Sequence, residues 1–279
     1  MTARQTALTR NPQIVALEAE MENVRAEIAE VLADMDHIRL QENPQIEAEY
    51  ALLIGCWETG ALSSDIDARK AKRRCSLAQQ AANVGKDINV SAIEAQLDRE
   101  FSAWQGQVEA TCQRYNELLR RRNASTVMPE AESKEMSQLH RMIVKSLHPD
   151  INPGLSKGEY DLLISAQNAY GRGDLVVIRA IAALVGTTDR RVGHSPDACD
   201  AASAMEAETA MLKAVLENIR ARIESLKTDF PYNMKLNLCD SAWVAAKVNE
   251  LRERIEHNNE VQRKYDKMCS RIMEGARVL

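Results

Sequence analysis

The sequence contains few aromatic residues, and this shortage argues against a protein built mainly from β-sheets. Aromatic side chains make up only 4% of the 279 residues, with two Phe and three Trp. Ala, Leu, Glu and Arg are abundant instead, and these residues favour long helices. Hydrophobic residues form 45% of the chain, which is enough to bury a core. We therefore predict an all-α protein.

The six cysteines lack the paired spacing of structural zinc sites. They stand at positions 56, 75, 112, 199, 239 and 269, and no two of them form a CxxC pair. Zinc ligands usually occur in short paired spacings, and disulfide frameworks usually belong to short secreted chains. We therefore expect free thiols in a reducing cytosol and no metal site.

Long apolar runs are also missing. No stretch of about 18 apolar residues is available to cross a bilayer, and no basic-then-apolar signal peptide opens the chain. These features predict a cytoplasmic protein that does not engage a membrane. The net charge of −5 argues against a general nucleic-acid coat.

Two local basic runs remain to be explained, at 68–74 and 120–122. They could contact nucleic acid, yet no groove-reading or base-stacking motif accompanies them. On a glutamate-rich helical protein, such cations more often form salt bridges between helices. We favour the second interpretation, and nucleic acid is an unlikely partner.

An apolar seam runs along the first predicted helix, which begins at Asn11-Pro12. Its residues alternate at spacings of three and four: Ile14, Leu17, Met21, Val24, Ile28, Val31, Met35 and Ile38. This heptad pattern is typical of a coiled coil, and the seam needs a partner in another chain or elsewhere in this one. Asn43-Pro44 is expected to end it. We therefore predict an N-terminal heptad helix at 1–43 that is able to mediate homo-oligomerisation.

Breaks in the helical pattern divide the rest of the chain into four further segments. A helical hairpin is expected at 44–124, whose second arm begins at a capping box of Ser91 and Glu94. Residues 125–190 form a small helical module with a trailing apolar helix. A polar linker at 191–203 leads to a coiled-coil hairpin at 204–279.

The stretch "MIVKSLHPDINPG", residues 142–154, ends an amphipathic helix in a proline-containing loop. Pro149 disfavours the α conformation for the residue before it, so the helix must stop at His148. One face of this helix is apolar and carries Met136, Leu139, Ile143 and Leu147. Another face is basic and carries Lys134, Arg141 and Lys145. After the loop, Leu163, Ala166 and Tyr170 are spaced to pack a second helix against the apolar face.

This order of basic helix, His-Pro-Asp loop and second helix ending in Ala-Tyr resembles the core of a J domain. That module is the one by which DnaJ-type co-chaperones engage DnaK-type ATPases. The resemblance is carried by "LHRMIVKSLHPDINP" and "LLISAQNAY". The wider layout is similar to a bacterial group of J-domain-containing proteins with the module between long helical segments. Its landmarks here are "NPQIEAEYALLIGCWE", "AIEAQLDREF" and "FPYN".

The resemblance implies a co-chaperone that is not an enzyme, holds no cofactor and stimulates the ATPase of a DnaK-type partner. The partner-binding residues that it implies are Lys134, Arg141, Lys145, His148, Pro149, Asp150 and Asn152. The three cations would steer the chain onto an acidic surface of the partner, and the rigid loop would fix the docking geometry. The coiled-coil arms would then supply dimerisation or the choice of a client protein.

A competing interpretation needs no chaperone partner. The chain would be a coiled-coil interaction scaffold, and its J-like core would serve only for packing. His148 would be a helix-end residue favoured by the helix dipole, Asp150 would cap the loop, and the basic stripe would be a solvated helix face.

Overall fold

The structure, a computed structural model, describes residues 12–124, 128–186 and 198–275. Every regular element in these ranges is helical, so the prediction of an all-α fold is confirmed. None of the helices in this part of the chain combines the length and the apolar character needed to cross a bilayer. Four of the predicted segments extend outside the described residues: the heptad helix at 1–43, the module at 125–190, the linker at 191–203 and the hairpin at 204–279.

The first half of the chain forms long helices. Helix α1 spans Pro12–His37, α2 spans Asn43–Tyr50, α3 spans Cys56–Asn83 and α4 spans Val90–Ala124. Short π-helical turns at Ile38–Glu42 and Ala51–Gly55 lie between the first three. Gly85, with a φ of 66°, lies in the loop that separates α3 from α4.

The second half contains shorter helices followed by two long ones. Helix α5 spans Glu130–Leu147, α6 spans Lys157–Arg172 and α7 spans Leu175–Gly186. Helix α8 spans Ala198–Thr228, and α10 at Ser241–Glu274 follows a short α9 at Lys235–Cys239. Between α8 and α9 lies a single 3₁₀ turn at Tyr232–Met234.

The expectation that Asn43-Pro44 ends the first helical run is wrong. Asn43 has helical angles of φ −58° and ψ −44°, and α2 continues through Pro44. A proline in a helix clashes with the carbonyl four residues earlier, which here belongs to Leu40. The π-helical turn at Ile38–Glu42 widens the helix at this carbonyl, and we infer that this widening accommodates the proline ring.

The helices group into two compact units, each made of segments that are distant in sequence. Residues 12–44, 128–186 and 198–232 form the first unit, and residues 45–124 and 233–275 form the second. The predicted hairpin at 204–279 is therefore divided, because α8 packs against α1 and α10 packs against α3. Both long C-terminal helices thus find their main partners in the N-terminal half of the chain.

The core of the first unit is formed by α1, α5, α6, α7 and α8. Ile28, Ile143, Ala166, Ile178 and Ile219 represent these five helices, and each is 1% exposed or less. The seam of α1 therefore has an intrachain partner, α8. Homo-oligomerisation through this seam stays a prediction.

The second unit packs α3 against α4 and α10. Its basic run on α3 forms salt bridges with both neighbours, so the interhelical interpretation of 68–74 is confirmed. Arg73 pairs with Glu100 at 2.9 Å, and Arg74 pairs with both Glu94 and Asp266. In the second run, Arg122 reaches Glu49 at 2.6 Å, while its two neighbours pair with Glu117 of their own helix.

Candidate functional site

The candidate site is the loop that joins α5 to α6 in the first unit. Helix α5 ends at Leu147, and His148 leaves the helical region with φ −78° and ψ 130°. The sequence predicts this ending, because Pro149 excludes the α conformation from the residue before it. The predicted apolar face is also correct, since Met136, Ile143 and Leu147 are buried.

A compact set of backbone hydrogen bonds holds the loop in one shape. The His148 carbonyl accepts hydrogen bonds from the N–H groups of Ile151 and Asn152, at 3.1 and 2.9 Å. Ile151 anchors the loop in the core at 3% exposure, whereas Pro149 and Asp150 are exposed. The loop therefore presents a proline and a carboxylate on a rigid support.

Asn152 secures the loop from its other end. Its side-chain amide donates to the backbone carbonyls of Lys145 and Ser146, at 2.9 and 3.1 Å. These carbonyls belong to the last turn of α5, which has no further helical N–H to bond with them. The structure thus gives Asn152 a capping role. The predicted contact of Asn152 with a partner remains a prediction.

His148 is half-buried at the base of the loop, with 16% of its side chain exposed. Its Nδ1 accepts a hydrogen bond from the Asp150 N–H at 3.2 Å, so the proton of the neutral ring lies on Nε2. Burial lowers the pKa of His148, and the nearby Asp150 carboxylate, 3.9 Å from Nδ1, opposes that change. At neutral pH the ring is therefore a hydrogen-bond donor at Nε2 rather than a cation.

The basic stripe on α5 is exposed, and each of its three members forms an ion pair. Lys134 pairs with Glu130 of the same helix at 2.6 Å. Arg141 and Lys145 instead reach across to α1, where their partners are Asp34 at 3.3 Å and Glu22 at 2.8 Å. The structure thus places the predicted cations on one helix, beside carboxylates that the sequence analysis did not connect with them.

A shallow cleft opens beside the loop, between the end of α5, the start of α6 and the end of α7. Its volume is about 220 Å³. The lining residues are Lys145, Ser146, Leu147, Asn152, Glu159, Leu162, Leu184 and Val185. Leu184 is 59% exposed and gives the cleft an apolar rim. This feature depends on α7, and the local sequence around the loop does not predict it.

Behind the stripe lies a buried polar cluster that the sequence analysis missed. His140 is only 1% exposed and stacks on Tyr170 with 4.1 Å between ring centroids. Asp36 of α1 is 4% exposed, lies 3.4 Å from His140 Nε2 and accepts a hydrogen bond from Gln167. The sequence gives little signal for this cluster, because Asp36 is one of seven acidic residues on α1.

Burial shifts both ionisable groups of this cluster towards their neutral forms. It lowers the pKa of His140 to about 4, with a smaller contribution from His37 nearby. It raises the pKa of Asp36, although the hydrogen bond from Gln167 acts in the opposite direction. The cluster fixes α1 against α5 and α6, and its ionisable groups are remote from solvent.

The structure therefore brings the His148-Pro149-Asp150 tripeptide, the basic stripe and the hairpin of α5 and α6 together within the first unit. The tripeptide projects from the hairpin, the stripe lies on α5, and α1 borders the stripe. A comparison with known proteins found no matching family model, no matching curated protein and no matching solved structure.

Proposed function

We propose that this protein is a cytoplasmic J-type co-chaperone that docks on a DnaK-type ATPase and stimulates its ATP hydrolysis. The observation that carries the proposal is the rigid His148-Pro149-Asp150 loop at the end of a helix with a basic face. Docking, and not catalysis by this chain, would be the function of the site.

The geometry of the loop supports a recognition role. Its backbone is fixed by hydrogen bonds to the His148 carbonyl and by the buried Ile151, so little conformational entropy is lost on binding. Asp150 has 41% of its side chain exposed and offers a carboxylate to a partner cation. The Nε2–H of His148 adds a neutral donor at a defined position.

Helix α5 and the His148-Pro149-Asp150 loop would have different roles in docking. The exposed cations Lys134, Arg141 and Lys145 would form ionic contacts with acidic groups of the partner. The loop acts at short range and favours the hydrolysing conformation of the ATPase by binding it more tightly than the alternative.

The test is single-turnover ATP hydrolysis by the DnaK-type protein of the same host, with this chain or its His148→Gln variant added. We expect the chain to accelerate hydrolysis and the variant to lose this effect on the order of tenfold, as expected when a hydrogen bond to a charged group is lost. His257→Gln is the matched control, since His257 is exposed in the second unit.

Circular dichroism and thermal melting of each variant separate a lost contact from a lost fold. An inactive His148→Gln protein with an unchanged melting temperature supports the proposal. Equal acceleration by wild type and variant, or none by either, contradicts it.

A second candidate function is an interaction scaffold in which the J-like hairpin serves only for packing. The observation that favours it is that Arg141 and Lys145 already pair with α1 and that the Asn152 amide caps α5. In that case His148→Gln should have no effect on the ATPase, and partners should bind the exposed faces of the long helices.

A further inference from the structure

Helix α1 changes the electrostatic character of the candidate docking surface. It carries seven acidic residues and one arginine between Pro12 and His37. Two of these acids, Glu22 and Asp34, form the ion pairs with Lys145 and Arg141. A face that is basic in the sequence of α5 is therefore of mixed charge in the folded unit.

Helix α1 cannot leave α5 without unfolding the first unit. Its Ile28 and Leu32 are 0% and 2% exposed, and both belong to the shared core. Asp36 adds a buried polar contact to Gln167. The carboxylates of Glu22 and Asp34 are thus permanent neighbours of the stripe, not a detachable arm.

The ion pairs themselves are weak enough for a partner to compete with them. Glu22 and Asp34 have 59% and 60% of their side chains exposed, and exposed pairs are screened by water and salt. Glu22 and Asp34 have a stronger effect on the electrostatic potential around the α5 stripe. Two carboxylates within 3.3 Å of two cations cancel most of the positive potential that would attract an acidic surface at a distance.

We propose that Glu22 and Asp34 are specificity-determining residues that restrain docking on an acidic partner. This inference rests on the proposed co-chaperone function and deepens it. A surface that is only acidic meets repulsion from α1. Because α1 slows association with strongly acidic surfaces, the chain would then bind some related ATPases faster than others.

The chain offers a matched control on the same helix. Glu20 and Glu27 also lie on α1 and also form ion pairs, but with Lys213 and Arg220 of α8. The variants Glu22→Gln/Asp34→Asn and Glu20→Gln/Glu27→Gln change the net charge equally. Only the first pair of changes removes carboxylates next to the α5 stripe.

The experiment measures association rates of wild type and both variants with the DnaK-type protein by stopped flow, at low and high salt. We expect Glu22→Gln/Asp34→Asn to associate several-fold faster than the control variant at low salt. The reason is that the basic stripe of α5 then regains its positive electrostatic potential. The difference should vanish near 0.5 M salt, where screening is almost complete. Thermal melting verifies that both variants fold.

The outcomes separate this inference from the proposed function. Equal rates for the two variants would overturn the inference, because only net charge would then matter. If wild type still accelerates ATP hydrolysis in a His148-dependent manner, the proposed function survives that result. If neither wild type nor any variant binds the ATPase, the function and the inference both fail.

Discussion

The rings of His140 and Tyr170 stack with 4.1 Å between centroids and 17° between their planes. This contact joins α5 to α6 behind the candidate site. Tyr170 continues the connection through its hydroxyl group, which lies 3.0 Å from His37 Nδ1. A buried histidine thus occupies the junction of three helices, and its protonation is coupled to the stability of the first unit.

The first prediction concerns that coupling. The pKa of His140 falls from an ordinary value near 6.5 to about 4 on folding, because burial disfavours the cation. Between these values the unfolded chain binds more protons, so acidification destabilises the fold. The stability of wild type relative to His140→Phe should therefore fall by up to about 3 kcal/mol between pH 6.5 and pH 4.

Asp36, in the same cluster, should give the stability of the first unit the opposite pH dependence. Burial raises its pKa, so the folded state retains a proton that the unfolded state releases. The stability of wild type relative to Asp36→Asn should therefore decrease as the pH rises through the folded pKa. Urea denaturation, followed by the methyl NMR signals of Ile143, gives the free energy of unfolding of wild type, His140→Phe and Asp36→Asn at each pH. If the three free energies change in parallel with pH, both expectations are contradicted.

The second prediction concerns the titration of His148. Burial lowers its pKa and Asp150 partly offsets that change. Replacing Asp150 with Asn removes the offset, so the pKa of His148 should fall further below its ordinary value. Imidazole nitrogen NMR follows the titration, and the signals of the exposed His257 should not respond to the substitution. An unchanged pKa of His148 would show that the carboxylate does not act on the ring, and a rise would contradict the prediction.

The third prediction compares two helical glycines. A Cβ at Gly55 would lie 2.6 Å from a ring carbon of Tyr115, whereas a Cβ at Gly106 would meet nothing within 4 Å. Alanine normally stabilises a helix interior by roughly 0.5–1 kcal/mol over glycine. Gly106→Ala should therefore raise the melting temperature, and Gly55→Ala should lower it.

Tyr115→Ala provides the rescue test for that clash. In its background, Gly55→Ala should become neutral or stabilising, because the ring that would meet the new Cβ is gone. If Gly55→Ala destabilises both backgrounds equally, a cause other than this contact is responsible.

The fourth prediction concerns a polar pair inside the second unit. Asn258 of α10 is 8% exposed and donates to the Ser64 hydroxyl of α3 at 3.0 Å. A double-mutant cycle with Asn258→Ala and Ser64→Ala should give a coupling energy of about 0.5–1.5 kcal/mol in chemical denaturation. A coupling energy near zero would assign the cost of each change to packing alone.

The candidate loop was predictable because its determinants are local. The conformational limit imposed by Pro149 on His148 and the spacing of Met136, Ile143 and Leu147 act within a few residues. The capping box of Ser156 and Glu159 at the start of α6 is equally local. Such rules operate before any tertiary contact forms, and they define the site well.

The pairing of helices was not predictable in the same way. The seam of α1 specifies that an apolar partner is needed, but α8 and α10 both carry apolar residues at helical spacing. Trp104 illustrates the same limit, because it follows an apolar register and yet is 49% exposed, with the Arg69 guanidinium 5.6 Å from its ring. Which faces meet depends on the complete set of helices, and periodicity in one helix does not contain that information.

The discontinuous make-up of the first unit has a consequence for biosynthesis. Glu20 and its ion-pair partner Lys213 are separated by 193 positions in the chain, and the helices that carry them share one core. A nascent chain must therefore expose the apolar side of α1 until α8 leaves the ribosome. Excising the α5–α6 hairpin alone would expose the apolar face of α5 instead, since α5 would lose α1. We expect the first unit to fold late, after translation of α8, and to need shielding by chaperones before then.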